Sequence, residues 1–131
     1  MAEQGEVFCD TTCLIDIYRG RPAIRPYFDA ILTGDMTPYI SVMTEAELWR
    51  GVQLTELERH EALLARFTIV PLRSDAARLA GIWMQQFAAT GLGWTDALIT
   101  ATASLVNLPL LTRDVRLASV LATQARFEVY A

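Results

Sequence analysis

The sequence predicts an α/β domain built on a mainly parallel sheet, and three observations predict it. Short apolar runs alternate with helical patterns along the whole chain. The 131 residues suit one domain, 1–131, and 53% of them are hydrophobic, an ample supply for a core. Finally, Gly93–Asp114 (GWTDALITATASLVNLPLLTRD) reads as a helix feeding into a buried strand, with an acid near each end. No internal repeat, low-complexity segment or linker interrupts this pattern.

In chain order, Glu6–Cys9 is a short apolar strand ending on Asp10, and Thr11 or Thr12 can cap a helix over Cys13–Arg19 that stops at Gly20. Pro22 to about Thr33 reads as a second helix with Ile24, Tyr27, Phe28 and Ile31 on one face. The Gly34-Asp35 turn leads to a strand over Thr37–Ser41 and then a helix over Val42–Gly51. Thr55–Phe67 is an amphipathic helix, with Leu57, Leu63, Leu64 and Phe67 facing inward. Its charged side holds Glu56, Glu58, Arg59 and Glu61, and His60 among them reads as a surface histidine. Thr68–Leu72 gives a third strand, and Ser74-Asp75 caps a long helix to about Thr90 that contains Leu79, Ile82, Trp83 and Phe87. After a turn at Gly91 and Gly93, Thr95 is the expected N-cap of a helix to about Val106. That helix is rich in small residues that admit a close neighbour. Asn107 can close it in a left-handed conformation, and Pro109 prevents its continuation. Leu108–Thr112 is a buried strand, Val115–Ala122 a last helix and Phe127–Tyr130 a fifth strand.

Composition excludes several classes. The net charge is −4, so no global basic field recommends a nucleic-acid partner, and all 11 cationic side chains are Arg, with no Lys. The longest uncharged runs, Leu79–Thr95 and Ala97–Thr112, are short for a bilayer and broken by Gln, Asn, Gly and Pro. The opening Met1–Glu6 is polar and acidic, without a signal-peptide pattern. A soluble, cytoplasmic chain without a membrane partner is therefore expected. Cys9 and Cys13 are too few for a disulfide scaffold and read as buried structural thiols.

The acids carry the chemistry. In a parallel sheet, Asp10, the helix carrying Glu45 and Glu47, and Asp114 all follow strands and emerge at one edge, where open α/β folds place their ligands. Asp96, at a helix N-terminus, can join them. Asp10 has a simpler reading as a helix cap, and Asp16 reads as a solvated or Arg-paired residue. Glu45 and Glu47 lie about 200° apart around a helix, so only one can enter a shared site. Crowded carboxylates repel unless a cation neutralises them, and oxygen-only ligands favour magnesium or manganese over zinc. Such a pocket serves phosphodiester hydrolysis. A glycosidase cleft is not evident in so short a chain. A receiver domain or a haloacid-dehalogenase-type phosphatase fails on the first-strand motif Asp10-Thr11-Thr12, on the third-strand end Pro71-Leu72-Arg73 and on the missing Lys.

Four segments together resemble the PIN-domain ribonucleases of the VapC toxin type. They are Phe8–Arg19 (FCDTTCLIDIYR), Ser41–Gly51 (SVMTEAELWRG), Thr95–Ala103 (TDALITATA) and Leu108–Arg116 (LPLLTRDVR). The resemblance implies a three-layer sandwich around a short-stranded, mainly parallel sheet. It places the family's metal-binding acids on Asp10, Glu47, Asp96 and Asp114, and selects Glu47 over Glu45 because the family acid stands in Ala-Glu-Leu-x-x-Gly. Thr112 matches a hydroxyl residue that lines the catalytic site. The usual Asn two positions after the first acid is Thr12 here. The implied activity is that of a magnesium- or manganese-dependent endoribonuclease, the toxin half of a toxin–antitoxin pair, leaving a 5′-phosphate and a 3′-hydroxyl. The implied partners are RNA, a cognate antitoxin and a second copy of the chain. Arg113 is the first candidate for a phosphate contact, with Arg19 and Arg50 behind it and surface ion pairs the simpler role for all three. Trp94 has two readings, a base-stacking platform or a core and helix-staple contact, and Trp49 and Leu54 two, an antitoxin groove or core. The competing reading is a non-catalytic PIN-like module that binds RNA or protein.

Overall fold

The structure, a computed structural model, describes residues 5–131. The part of the acidic opening before Gly5 lies outside the described residues. Strands β1 (Gly5–Cys9), β2 (Met36–Ser41), β3 (Thr68–Val70), β4 (Leu110–Thr112) and β5 (Phe127–Val129) form one sheet in the order β3-β2-β1-β4-β5. Every pairing among them is parallel. The helices are α1 (Thr11–Tyr18), α2 (Arg25–Thr33), α3 (Val42–Gly51), α4 (Leu57–Leu64), α5 (Ser74–Gln86), α6 (Trp94–Leu105) and α7 (Val115–Val120).

Strand alternation divides the buried side chains between two faces. Val7 and Cys9 of β1 join Leu14, Ile31, Leu63, Leu64 and Leu111 on one side. Phe8 and Leu110 join Trp83, Ile99, Leu117 and Leu121 on the other. Helices therefore cover both faces, which makes the three-layer sandwich that the sequence predicts. The small residues of α6 do what their size permits: Ala97, Ala101 and Ala103 are buried, and α5 packs closely against that helix.

The chain winds outward from β1 through β2 to β3, then returns to build β4 and β5 on the other side of β1. The crevice at the carboxyl ends of β1 and β4 is the topological switch point, the position at which open parallel sheets bind ligands. Phe8 is in register with Leu110 and Cys9 with Leu111, so Asp10 and Thr112 leave the sheet side by side.

Most element boundaries lie within two residues of the sequence reading, and α3 matches at both ends. Asn107 has φ 61°, and Leu108 N–H donates to Ala103 C=O at 3.0 Å, closing α6 as expected. Other features differ. The second helix is a 3₁₀ turn at Pro22–Ile24 followed by α2, and the amphipathic helix is a 3₁₀ turn at Leu54–Glu56 followed by α4. Helix α5 ends at Gln86, before a 3₁₀ turn at Ala88–Thr90, and exposes Ile82. The caps shift as well: Asp10 caps α1 through its own carboxylate, Arg73 precedes α5, and Gly93 rather than Thr95 precedes α6. For α1 and α5 the extended residue lies just before the polar pair that the sequence offers, and for α6 Trp94 stands between the two.

His60 corrects the sequence reading outright. It is 1% exposed, its Nδ1 hydrogen-bonds the Tyr18 hydroxyl, and its ring packs against Trp49 with centroids 4.6 Å apart. The charged residues around it in sequence face outward, while the helix turns His60 toward α1.

Asp16 is paired with arginine. Fully buried, it accepts Arg113 Nε at 2.6 Å and Nη2 at 3.0 Å, Arg21 Nε at 3.1 Å and the Tyr130 hydroxyl at 2.7 Å. These contacts tie α1 to the segment after β4 and to the chain end. Burial pushes the Asp16 carboxyl pKa up, but the hydrogen bonds from Arg113 and Tyr130 and the charges of Arg113 and Arg21 outweigh burial and hold it below the ordinary range. Replacing Asp16 by Asn leaves two guanidinium groups facing a neutral amide. Asp16→Asn is expected to cost about 3 kcal/mol of stability, read as a lower urea midpoint, and an unchanged midpoint contradicts the structural role.

Candidate active site

The acids converge because Asp10, Asp96 and Asp114 sit at element ends near the switch point, and α3, which follows β2, brings Glu47 to them. Asp10 is the N-cap of α1, with an extended backbone that turns its side chain back onto the helix. Its Oδ1 accepts the Thr11 N–H at 2.8 Å, and its Oδ2 accepts the hydroxyls of Thr112 at 2.7 Å and Thr12 at 3.2 Å. Thr12 also accepts the Arg113 N–H at 3.2 Å. A threonine in place of the family's usual asparagine therefore still pins the β4 exit to α1.

Thr112 links two of the acids. Its hydroxyl donates to Asp10 and accepts the Asp114 N–H at 3.0 Å. Asp114 then caps α7, its Oδ1 accepting the Leu117 N–H at 3.0 Å. Glu47 of α3 accepts the Thr11 hydroxyl at 2.7 Å, and Thr11 Oγ1 lies 2.9 Å from that of buried Thr44. Glu47 is thus the α3 acid that enters the cluster, in place of Glu45. Asp96 occupies the first turn of α6.

Electrostatics binds the four into one site. Burial pushes Asp96 up to about 6, and the charges of Asp10, Asp114 and Glu47 add to that rise against an opposing effect of Arg116. Asp10 is also raised, first by burial and further by Asp114, although its three hydrogen bonds pull the other way. Among the described residues, no three His, Cys, Asp or Glu side chains stand together in metal-ligating positions. The carboxylates are gathered within range of one another's charge without being closed around a point. An oxygen-only donor set under mutual repulsion fits a hard divalent cation, whose charge removes the repulsion.

The structure corrects other expectations around the site. Arg113 takes the ion-pair role, its Nε and Nη2 forming a bidentate contact with Asp16. Trp94 is 57% exposed and so is not a core residue, and Leu54 is 90% exposed. Trp49 is partly exposed with one side on His60. The sequence reading missed Thr11 and Thr44 as the pair that holds Glu47. The only sequence signal for them was the placement of Thr11 directly after Asp10 and of Thr44 three residues before Glu47.

A family model described as PIN domain matches residues 7–121. Ribonuclease VapC19 of Mycobacterium tuberculosis is 31% identical over 109 residues, covering 82% of this chain and 87% of its own. Ribonuclease VapC10 of the same organism is 34% identical over 112 residues, covering 83% of each chain. A toxin–antitoxin complex from Klebsiella pneumoniae superposes with a TM-score of 0.70 and 26% identity over 90% of this chain and 92% of that one. VapBC-1 from nontypeable Haemophilus influenzae superposes with a TM-score of 0.77 over 95% and 97%, and at 22% identity it shows the shared fold.

Burial of the acids, with repulsion added, sets a pH dependence. Asp96 and Asp10 bind protons more tightly folded than unfolded, so their unfavourable contribution grows as pH rises from about 4 and is complete above the folded value near 6. Asp16 acts in the opposite sense, but only below the ordinary carboxylate pKa. In chelator the protein is expected to melt higher at pH 5 than at pH 7.5, and Asp96→Asn should remove most of the difference. A wild-type melting temperature that is flat or rising over that interval contradicts the repulsion.

Proposed function

This chain belongs to the PIN domain family, and from that premise we propose that Asp10, Glu47, Asp96 and Asp114, with Thr112 between two of them, are the active site of its ribonuclease activity. The protein is an endoribonuclease of the VapC type, the toxin of a toxin–antitoxin pair, and it depends on a divalent metal. The relatives named as ribonucleases and the toxin–antitoxin complexes of the same fold support that reading. Magnesium or manganese is the proposed ion, on the strength of the oxygen-only donors. A homodimer acting on RNA in the cytoplasm completes the proposal. Among the described residues no helix is long and apolar enough to cross a membrane.

The observation that carries the assignment is the meeting of four carboxylates at the switch point, where Asp96, raised first by burial, also feels the charges of the other three. Four carboxylates from four elements repel one another at a ligand-binding edge of the sheet, an arrangement that costs stability and is retained where a cation is needed. Bound there, the ion supplies the positive charge that offsets the phosphate and makes a water acidic enough to attack it. The chain's own residues hold the arrangement. Thr11 N–H and the hydroxyls of Thr12 and Thr112 fix both oxygens of Asp10. Thr11 Oγ1 orients Glu47, and the first turn of α7 orients Asp114. Thr112 keeps Asp10 and Asp114 at one spacing by bonding to both residues.

Purified protein is expected to cut total cellular RNA into discrete fragments with magnesium or manganese and to leave it intact in chelator. Asp10→Asn, Asp96→Asn and Asp114→Asn should each slow cleavage by about 10²-fold or more while remaining folded. Cleavage at the wild-type rate in any of them removes that residue from the site. Absence of both cleavage and metal binding in the wild type favours a non-catalytic binding module instead.

A further inference from the structure

A groove of about 500 Å³ runs from the acid cluster between α1, α3 and α4, with Thr11 and Glu47 at the end it shares with the acids. Arg19, Arg50 and Arg59 also line it. Its two acids are otherwise engaged: Glu47 belongs to the cluster, and Glu56 accepts the Gln53 N–H at 2.9 Å in a capping box.

Most arginines of this chain are committed elsewhere. Arg21 and Arg113 hold Asp16, Arg25 pairs with Asp29, Arg73 with Asp75, and Arg116 and Arg126 bond to backbone carbonyls. Arg59 donates to the Tyr18 carbonyl and lies over the Tyr18 ring. Arg19, Arg50, Arg66 and Arg78 have no side-chain hydrogen bond or ion pair among the described residues, and of these four Arg19 and Arg50 both face the same groove. In a protein of net charge −4, two of the four uncommitted arginines thus stand together beside the acids.

An independent observation comes from the groove wall. His60 lines it and is buried, with Nδ1 on the Tyr18 hydroxyl, and its Nε2 has no hydrogen-bond partner among the described residues. A buried imidazole nitrogen without a partner is uncommon in a finished core, and it marks this wall of the groove as one whose polar groups are incompletely paired.

We infer that this groove is the subsite for an RNA nucleotide adjoining the scissile phosphate, with Arg19 and Arg50 on its phosphate and the Tyr18–His60 pair behind its sugar or base. The inference rests on the reading of the protein as a ribonuclease. The groove then does what the acid cluster cannot, which is to attract a polyanion to a negatively charged chain. Arg suits the task through its forked, bidentate donors. A peptide of a protein partner is the alternative occupant, and the uncommitted arginines favour the phosphate.

His60 is the only histidine in the chain, so its imidazole resonances report this groove without ambiguity. Wild-type protein in chelator is titrated with a mixed-sequence RNA pentanucleotide while the His60 ¹⁵N signals are followed. The expected result is a saturable shift of those signals. The Arg19→Ala/Arg50→Ala double variant, whose side chains are exposed, should weaken binding about tenfold or more. It should also flatten the slope of log affinity against log salt by about 0.7 for each phosphate that is no longer neutralised. RNA that binds without moving His60, or that binds the double variant as it binds wild type, overturns the inference. So does a double variant that loses a protein partner while keeping its RNA affinity. Metal-dependent cleavage of total RNA is scored separately. If cleavage is intact and His60 is silent, only the groove assignment fails; if neither responds, the ribonuclease reading fails with it.

Discussion

Mutual repulsion among Asp10, Glu47, Asp96 and Asp114 is the constraint that the rest of the molecule is arranged to withstand. The four arrive from the end of β1, the middle of α3, the start of α6 and the end of β4, and only the parallel sheet and its reversal beside β1 bring them to one edge. Holding them there costs stability: burial raises Asp96 to about 6, and the charges of the other three acids add to that rise. Threonine hydroxyls, helix-cap N–H groups and a well-packed two-faced core offset that cost. These donors orient the carboxylates without supplying a compensating positive charge, so the acids remain available to a cation.

Asp16 shows the opposite treatment of the same side chain a turn and a half along α1. It is the more buried acid, yet its carboxyl is held below the ordinary range because two arginines and a tyrosine hydroxyl converge on it. Neutralisation from within the chain makes Asp16 a structural tie. Its absence among the four makes a binding site. Arg113 stands next to Asp114 in sequence, yet its guanidinium turns away to Asp16 and so does not quench the cluster.

Much of this was legible in the sequence for local reasons. Ser41 before an apolar-periodic run marks the start of α3, and Asn107 followed by Pro109 marks the end of α6; both signals act within a few residues and both hold. Asp10, Asp96 and Asp114 were legible as candidates because each follows a strand or opens a helix. The choice between Glu47 and Glu45 needed the family motif, since helical spacing excludes a shared site without saying which acid turns inward. His60 was misread because its neighbours Glu58, Arg59 and Glu61 dominate the pattern, while its partners Tyr18 and Trp49 come from other helices. The two readings of Arg113 stayed open in the sequence because its ion-pair partner lies 97 residues earlier, a pairing that only the closed sheet creates.

The measurement that tests the central claim most directly is anomalous diffraction from crystals grown with manganese. An anomalous peak is predicted among the carboxylates of Asp10, Glu47, Asp96 and Asp114, absent in crystals of Asp96→Asn/Asp114→Asn protein. A peak elsewhere, or no peak at a manganese concentration that raises the melting temperature, would contradict it.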